Sequence, residues 1–102
     1  VIIDGYILAI EAAEGTDQML KRVIEIRKRN KTIHENKGVL IKMAKKNQSM
    51  LVDLPVLGPK TLEIVSKANL ASIALDPLST LILNKKTFIK KAKKESINLF
   101  LA

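Results

Sequence analysis

A chain of 102 residues accommodates one domain, and no apolar run approaches the roughly 20 residues of a membrane-spanning helix. Hydrophobic residues make up 47% of the chain and aromatic residues only 3%, which favours a sheet packed by branched aliphatic side chains. The absence of cysteine excludes disulfides and thiolate metal ligands. The net charge of +8 favours phosphate-rich partners such as nucleic acid, anionic lipid or a phosphorylated substrate, although it also suits solubility alone.

The chain begins with a strong hairpin signal. Asp4-Gly5 lies between two β-rich runs, residues 1–3 and 6–10, and this pair supplies the positive φ angles of a tight type I′ turn. The first run starts directly at Val1 rather than at a methionine, so we expect the chain to be part of a longer protein.

The first helix is predicted to follow Glu14-Gly15. Thr16 is the expected N-cap, and Asp17 lies in the first turn, where a negative charge suits the helix dipole. Three- and four-residue spacing then defines an apolar face, which comprises Met19, Leu20, Val23 and Ile24.

The middle of the chain predicts a strand over residues 39–44, a second short strand over 50–52 and a helix after Gly58-Pro59. Lys42 interrupts the first strand, where it either points to solvent or meets a phosphate at the strand end. His34 lies in a polar connector, where a lone histidine is expected to be solvated. The second helix is predicted to turn three residues inward, Leu62, Val65 and Ala68.

The sequence after residue 70 predicts strands over residues 71–75, 80–83 and 97–101. It also predicts a turn over residues 76–79 and a third helix that is capped by Asn84. Phe88, Ile89 and Ala92 are expected to face inward, and all three aromatic residues, Tyr6, Phe88 and Phe100, are expected in the core. The order ββ-α-β-α-ββ-α-β predicts one domain over residues 1–102, α/β or α+β, with a mixed sheet of about six short strands and about three helices.

The strongest candidate site is the stretch 52–61. Asp53 stands among apolar neighbours, and Gly58-Pro59 opens a helix whose start offers backbone N–H groups and the positive end of the helix dipole. A carboxylate just before such a start suggests a metal ion or an activated water beside a phosphate. The alternative interpretation is a strand end, a turn and a capped helix.

The first helix start is also acidic, since Glu11, Glu14 and Asp17 surround it. Carboxylate oxygens suit Mg²⁺, which bridges to substrate phosphates and lowers the pKa of bound water. Lysine and helix-start N–H groups would stabilise the remaining phosphate charge. The chain has no P-loop, dinucleotide-binding glycine motif, zinc-protease motif or nucleophile elbow, so other familiar chemistries are not indicated.

Three segments together resemble a known family. They read EAAEGTD over residues 11–17, GVLIK over 38–42 and DLPVLGPKT over 53–61. In this order and spacing they resemble the C-terminal domain of a UDP-2,3-diacylglucosamine diphosphatase of lipid A biosynthesis, of the type unrelated to metallophosphoesterases. The resemblance covers essentially the whole chain.

This resemblance implies Mg²⁺-assisted hydrolysis of the UDP-2,3-diacylglucosamine pyrophosphate to UMP and 2,3-diacylglucosamine 1-phosphate. Family members are longer, with an N-terminal domain and a cleft between domains, so the chain alone is expected to be inactive. The resemblance implies a cytoplasmic location, and peripheral contact with the inner membrane is a further expectation. The resemblance implies catalytic roles for Asp53, Lys42 and Asp17, metal binding by Asp53, Glu14 and Asp17, and substrate binding by Thr16, Gly15, Gly58 and Thr61.

Two alternatives remain open from the residues themselves. One is a basic nucleic-acid-binding module, although no reader motif or aromatic stacking platform is evident. The other is a structural fragment without activity. The third helix carries six lysines in ten residues, which predicts weak, salt-sensitive contact with an anionic membrane, or a merely solvated face. These lysines are Lys85, Lys86, Lys90, Lys91, Lys93 and Lys94.

Overall fold

The computed structural model describes residues 1–30, 36–43, 56–78 and 80–101. Within these ranges the chain forms three helices and seven strands, which confirms the predicted α/β class and element order. The elements are β1 (Ile2–Ile3), β2 (Tyr6–Ile7), α1 (Thr16–Arg29), β3 (Gly38–Lys42), β4 (Val56–Leu57), α2 (Pro59–Lys67), β5 (Leu70–Leu75), β6 (Leu81–Ile82), α3 (Lys85–Lys94) and β7 (Asn98–Leu101).

Five strands form the main sheet in the order β2-β1-β3-β5-β7. The hairpin of β1 and β2 turns at Asp4 and Gly5, whose φ angles of 52° and 75° are those of the predicted type I′ turn. Strand β1 is antiparallel to β3, whereas β3, β5 and β7 run parallel, so the sheet is mixed as expected. The carboxyl ends of the parallel strands therefore meet at one edge of the sheet, which we call the carboxyl edge.

A second, two-stranded sheet departs from the single sheet that the sequence predicted. Strands β4 and β6 pair in parallel, with Val56 opposite Leu81 and Leu57 opposite Ile82. Strand β4 is additional to the predicted elements, and the strand predicted over residues 50–52 lies outside the described residues. The two strands belong to the connections that lead into α2 and α3, and Leu57 of β4 is buried in the core.

The three helices form one layer, because α2 contacts both α1 and α3. Their inner faces are completely buried at Leu20, Val23, Leu62, Val65 and Phe88, and they pack with inward strand residues into one apolar core. The predicted inward face of α2 is confirmed. That of α3 is confirmed at Phe88 and Ala92 but wrong at Ile89, which is 36% exposed.

The opposite face of the main sheet carries exposed apolar side chains. Ile41, Ala74 and Phe100 lie in register across β3, β5 and β7, and Ile41 and Phe100 are 44% and 55% exposed. The expectation that all three aromatic residues are buried is thus wrong for Phe100 and for Tyr6, which is 60% exposed. Strand alternation explains Phe100, since its neighbour Leu99 turns toward the core instead.

None of the described helices is long and apolar enough to cross a bilayer.

Candidate active site

The predicted site residues that the structure describes gather mainly at the carboxyl edge. Lys42 is the last residue of β3 and binds Thr16 in the first turn of α1, which a second hydrogen bond joins to the first turn of α2. Asp53 and His34 lie outside the described residues. Ligands of α/β proteins bind outside the carboxyl ends of parallel strands, so this is the expected position for a site.

Lys42 anchors a closed triangle of polar groups. Its ammonium donates to Glu11 Oε2 at 2.8 Å and to Thr16 Oγ1 at 2.6 Å, and the Thr16 hydroxyl donates to the same Glu11 oxygen at 2.8 Å. The side chain of Lys42 is only 14% exposed and that of Glu11 29%. Because two of its three protons are used, one ammonium proton has no partner among the described residues.

The second contact joins the two helix starts. Thr61, in the first turn of α2, donates its hydroxyl to Asp17 Oδ1 at 3.1 Å. Asp17 lies in the first turn of α1 and follows Thr16 directly, so the Lys42 triangle and the Thr61 contact are adjacent. Thr61 is a buried polar residue, 7% exposed, whose burial is compensated by this bond.

Both helices begin at a glycine and lack a side-chain cap within the described residues. Gly15, at φ 89°, precedes α1, and Gly58, with extended backbone, precedes α2. The prediction that Thr16 is the N-cap is therefore wrong. Thr16 is the first helical residue, and its hydroxyl is taken by Lys42 and Glu11 rather than by the helix backbone.

Glu14 does not join these groups. It forms an ion pair with Arg22, which also donates to the carbonyl oxygen of Ile10 at 3.0 Å. Sequence reasoning assigned no role to Arg22 and did not identify Glu11 as the partner of Lys42. The pairing of Glu11 with Lys42 spans 31 residues, and the only sequence signal is that both side chains end an apolar strand run.

The carboxylates of the described residues do not by themselves assemble a metal centre. No three acidic or histidine side chains converge among them. Glu11 is bound to Lys42, Glu14 to Arg22 and Asp17 to Thr61. A metal ion at this edge would therefore require a ligand from outside the described ranges, and Asp53 is the candidate that the sequence offers.

The described side chains at the carboxyl edge carry charges of both signs. The two linked contacts contain one ammonium and two carboxylates, a formal charge of −1. A diphosphate would be repelled by this charge alone, whereas helix-start N–H groups and the spare Lys42 proton attract it. The described groups thus offer carboxylate oxygens to a cation and hydrogen-bond donors to an anion.

Fold and site together define an α/β domain with a partly buried cluster of charged and polar side chains at the carboxyl edge of its parallel strands. Comparison with known proteins gives the family. The family model of the LpxI C-terminal domain matches residues 1–100, and the chain belongs to this family. This membership confirms the resemblance drawn from the three sequence segments.

One curated relative is UDP-2,3-diacylglucosamine pyrophosphatase LpxI of Caulobacter vibrioides, which is 36% identical over 101 residues. The match covers 98% of this chain but 35% of the relative. The chain thus spans about a third of the length of the curated relative that it matches.

Proposed function

We propose that the chain is the catalytic C-terminal part of an enzyme of lipid A biosynthesis. The reaction is hydrolysis of the UDP-2,3-diacylglucosamine pyrophosphate to UMP and 2,3-diacylglucosamine 1-phosphate on the cytoplasmic side of the membrane. Support comes from the relative's name and from its match along nearly the whole chain. The structural observation that carries the proposal is the partly buried Lys42 ammonium, which binds Thr16 at the start of α1 and has one proton without a partner among the described residues. The start of α2 is joined to that of α1 through Thr61 and Asp17.

In this proposal the chain's own groups bind and orient the diphosphate. Lys42 offsets charge on the oxygens of the phosphorus that is attacked, and Glu11 and Thr16 hold its ammonium in place. The backbone N–H groups that follow Gly15, and that of Lys60 in the first turn of α2, bind further phosphate oxygens; Pro59 has no N–H, and the Thr61 N–H donates to the Gly58 carbonyl oxygen. Neither Gly15 nor Gly58 has a side chain that would block the approach of the phosphate. Asp17 and Thr61 hold the two helix starts together and complete the substrate contacts.

Asp53 is the proposed catalytic carboxylate, and we propose Mg²⁺ as the cofactor. Asp53 would bind the ion with Asp17, and Glu14 is the third candidate ligand once released from Arg22. When bound, Mg²⁺ would supply charge neutralisation at the diphosphate and a water of lowered pKa. The support is the formal charge of −1 over Lys42, Glu11 and Asp17, which a divalent cation would offset when a diphosphate binds.

The alternative of a nucleic-acid-binding module is less well supported. Exposure of Tyr6 and Phe100 does not create a stacking platform, because the two rings lie on β2 and β7, the opposite edges of the sheet. Tyr6 also pairs with the inward-facing Ile3, whereas Phe100 pairs with Ala74 on the uncovered face. The rings therefore stand on different faces as well as different edges.

The test is release of UMP from UDP-2,3-diacylglucosamine, with Mg²⁺ and with a chelator. Two proteins are compared: this chain alone, and a chimera in which it replaces the matching segment of the Caulobacter relative. We expect the chimera to hydrolyse the substrate only with Mg²⁺. We expect the chain alone to be inactive, because remote contacts of a longer enzyme position the reacting centre.

Activity of the unmodified relative, measured in parallel, establishes that the assay works. An inactive chimera that is folded and stable would contradict the proposed reaction. Equal activity with chelator would contradict the role of Mg²⁺, and robust turnover by the chain alone would mean that the other part of the enzyme is dispensable.

A further inference from the structure

The face of the main sheet opposite the helices is mostly apolar and extends across all five strands. Two rows of outward side chains lie in register on it, one that begins on β2, β1 and β3 and one on β3, β5 and β7. The first row continues through Ser72 and Asn98, which are polar but uncharged. We call the six apolar residues of these rows the open sheet face: Ile7, Ile2, Val39, Ile41, Ala74 and Phe100.

The open sheet face is exposed and carries no charge. Ile7, Ile41 and Phe100 are each at least 44% exposed. Within the five strands of the main sheet the only charged residue is Lys42, which alternates with Ile41 and binds Thr16 of α1 on the other face. The charged side chains of the described strands therefore leave this face entirely to apolar and uncharged polar groups.

A parallel sheet with one bare face is unusual. Strands β3, β5 and β7 are parallel, and sheets built from such strands are normally covered on both faces. The three described helices form one layer on the opposite face, so none of them covers the open sheet face. A sheet face that meets water usually carries polar residues instead. A contiguous exposed apolar surface of this kind marks an interaction site.

The comparison with the Caulobacter relative indicates where a cover can come from. The match includes 98% of this chain but 35% of the relative, so most of the relative's length has no counterpart in the chain. A covalently linked segment has an effective concentration on the order of millimolar, which favours it over a separate molecule that buries the same surface. A covering layer supplied by the same polypeptide is therefore favoured.

We propose that, in the longer enzyme, amphipathic helices from the part that this chain lacks pack on the open sheet face. The two rows of aliphatic and aromatic side chains offer an apolar floor to such helices, and the sheet becomes the middle layer of three. This surface is separate from the carboxyl edge, where the substrate is proposed to bind. The inference therefore rests on the family comparison and on the sheet, and it does not depend on the proposed reaction.

The chemistry of the open sheet face argues against other occupants. Nucleic acid and anionic lipid are attracted by lysine and arginine, and this face has neither. A second copy of the chain could bury the same apolar rows, but it would compete with a segment of the same polypeptide. An experiment that compares the isolated chain with the longer protein separates these two occupants.

Thiol labelling measures the cover at single positions, because the chain has no cysteine. Ile41→Cys and Phe100→Cys are prepared in the isolated chain and in the chimera with the Caulobacter relative. The rate of alkylation by N-ethylmaleimide is measured at each position, and mass spectrometry identifies the labelled peptide. We expect rapid labelling in the isolated chain and labelling about tenfold slower or more in the chimera, because a covered thiol reacts only after local opening.

Two further variants make the comparison specific. Lys28→Cys places the thiol on the solvent side of α1, where the side chain is 68% exposed, and it should react equally fast in both proteins. Ala74→Cys adds little volume and lies between Ile41 and Phe100 in register, so it reports on the same row even where loss of a larger side chain unfolds the chimera. Its labelling should also be slower in the chimera, and circular dichroism checks that every variant is folded.

Three results would overturn the proposal. The first is equal labelling of residues 41, 74 and 100 in the folded chimera and in the isolated chain. The second is slowing of the Lys28→Cys reaction equal to that on the open sheet face. The third is protection in the isolated chain that increases with protein concentration, which would identify a second copy as the occupant. Since labelling requires no substrate, its outcome is independent of UMP release by the chimera.

Discussion

The Thr61 hydroxyl donates a 3.1 Å hydrogen bond to Asp17 Oδ1 and so joins the first turns of α2 and α1. Thr61 is buried, and the bond spans 44 residues of sequence. In the proposed reaction, the two helix starts lie on either side of one diphosphate. This hydrogen bond holds them at a fixed distance from each other. The same hydrogen bond therefore contributes to the stability of the domain and to the arrangement of its site.

Thr61→Val is expected to lower the free energy of unfolding by about 0.5–1.5 kcal/mol, because the variant keeps the shape of the side chain but loses one hydrogen bond. The measurement is urea unfolding of the chain followed by circular dichroism. Thr87→Val is the matched control, since Thr87 is also the third residue of a helix but is exposed. An equal effect of both substitutions would mean that helix propensity, not the contact with Asp17, is being measured.

Lys42→Met is expected to lower the free energy of unfolding by about 1–3 kcal/mol, because Glu11 and Thr16 then lose a charged partner in a partly buried position. Lys28→Met should change it by less than about 0.5 kcal/mol, since the pair of Lys28 with Glu25 is exposed. Urea unfolding measures both.

A double-mutant cycle with Glu11→Gln tests whether Lys42 acts through Glu11. The double variant should be more stable than the sum of the two single effects implies, with a coupling energy of about 0.5–3 kcal/mol. Strictly additive effects would contradict the pairing of the two side chains. In the chimera, Lys42→Met should also abolish UMP release under conditions where the protein remains folded.

The parts of the fold that short sequence patterns determine were predictable. Asp4-Gly5 specified its hairpin turn because few dipeptides reach two consecutive positive φ angles. Gly58-Pro59 marked the start of α2 because proline suits the first helical position. Such signals act within a few residues, so they need no knowledge of the tertiary structure.

Contacts between distant segments were not predictable in the same way. The pairing of Lys42 with Glu11 depends on how β3 and the residues before α1 come together in the sheet. Exposure of Phe100 depends on which face of the sheet the helices cover, and the composition of a four-residue strand does not reveal that. The Thr16 hydroxyl likewise had two possible partners, and tertiary contacts decided against the helix cap.

Gly38→Ala is expected to destabilise the domain by about 1–3 kcal/mol, measured by urea unfolding. An added Cβ would collide with the Ile3 side chain and lie 2.7 Å from the Ile2 carbonyl oxygen, which belongs to the sheet backbone and cannot easily move. Gly58→Ala is the control, because the nearest atom to its added Cβ is 3.9 Å away and its φ is negative. Equal stability of the two variants would contradict the close packing at Gly38.

Phe88→Ala is expected to cost about 3–5 kcal/mol of unfolding free energy, because the ring is completely buried between α3 and the core. Phe100→Ala removes the same group from an exposed position and should cost less than about 1 kcal/mol. Thermal and urea unfolding of both variants measure the difference. A cost at Phe100 equal to that at Phe88 would mean that the uncovered sheet face is buried in solution.

Asp53→Asn in the chimera is expected to lower turnover about a hundredfold or more, since catalytic acid–base groups typically contribute 10²–10⁴-fold. The amide keeps the size of the side chain but loses the charge that the proposed cofactor and water require. UMP release at saturating substrate and Mg²⁺ is measured, with folding checked by circular dichroism. Asp4→Asn is the control, because it removes the same charge from the hairpin turn, where asparagine also tolerates a positive φ. Near-normal turnover of a folded Asp53→Asn enzyme would exclude Asp53 from the mechanism, whereas an unfolded variant would assign it a structural role before α2.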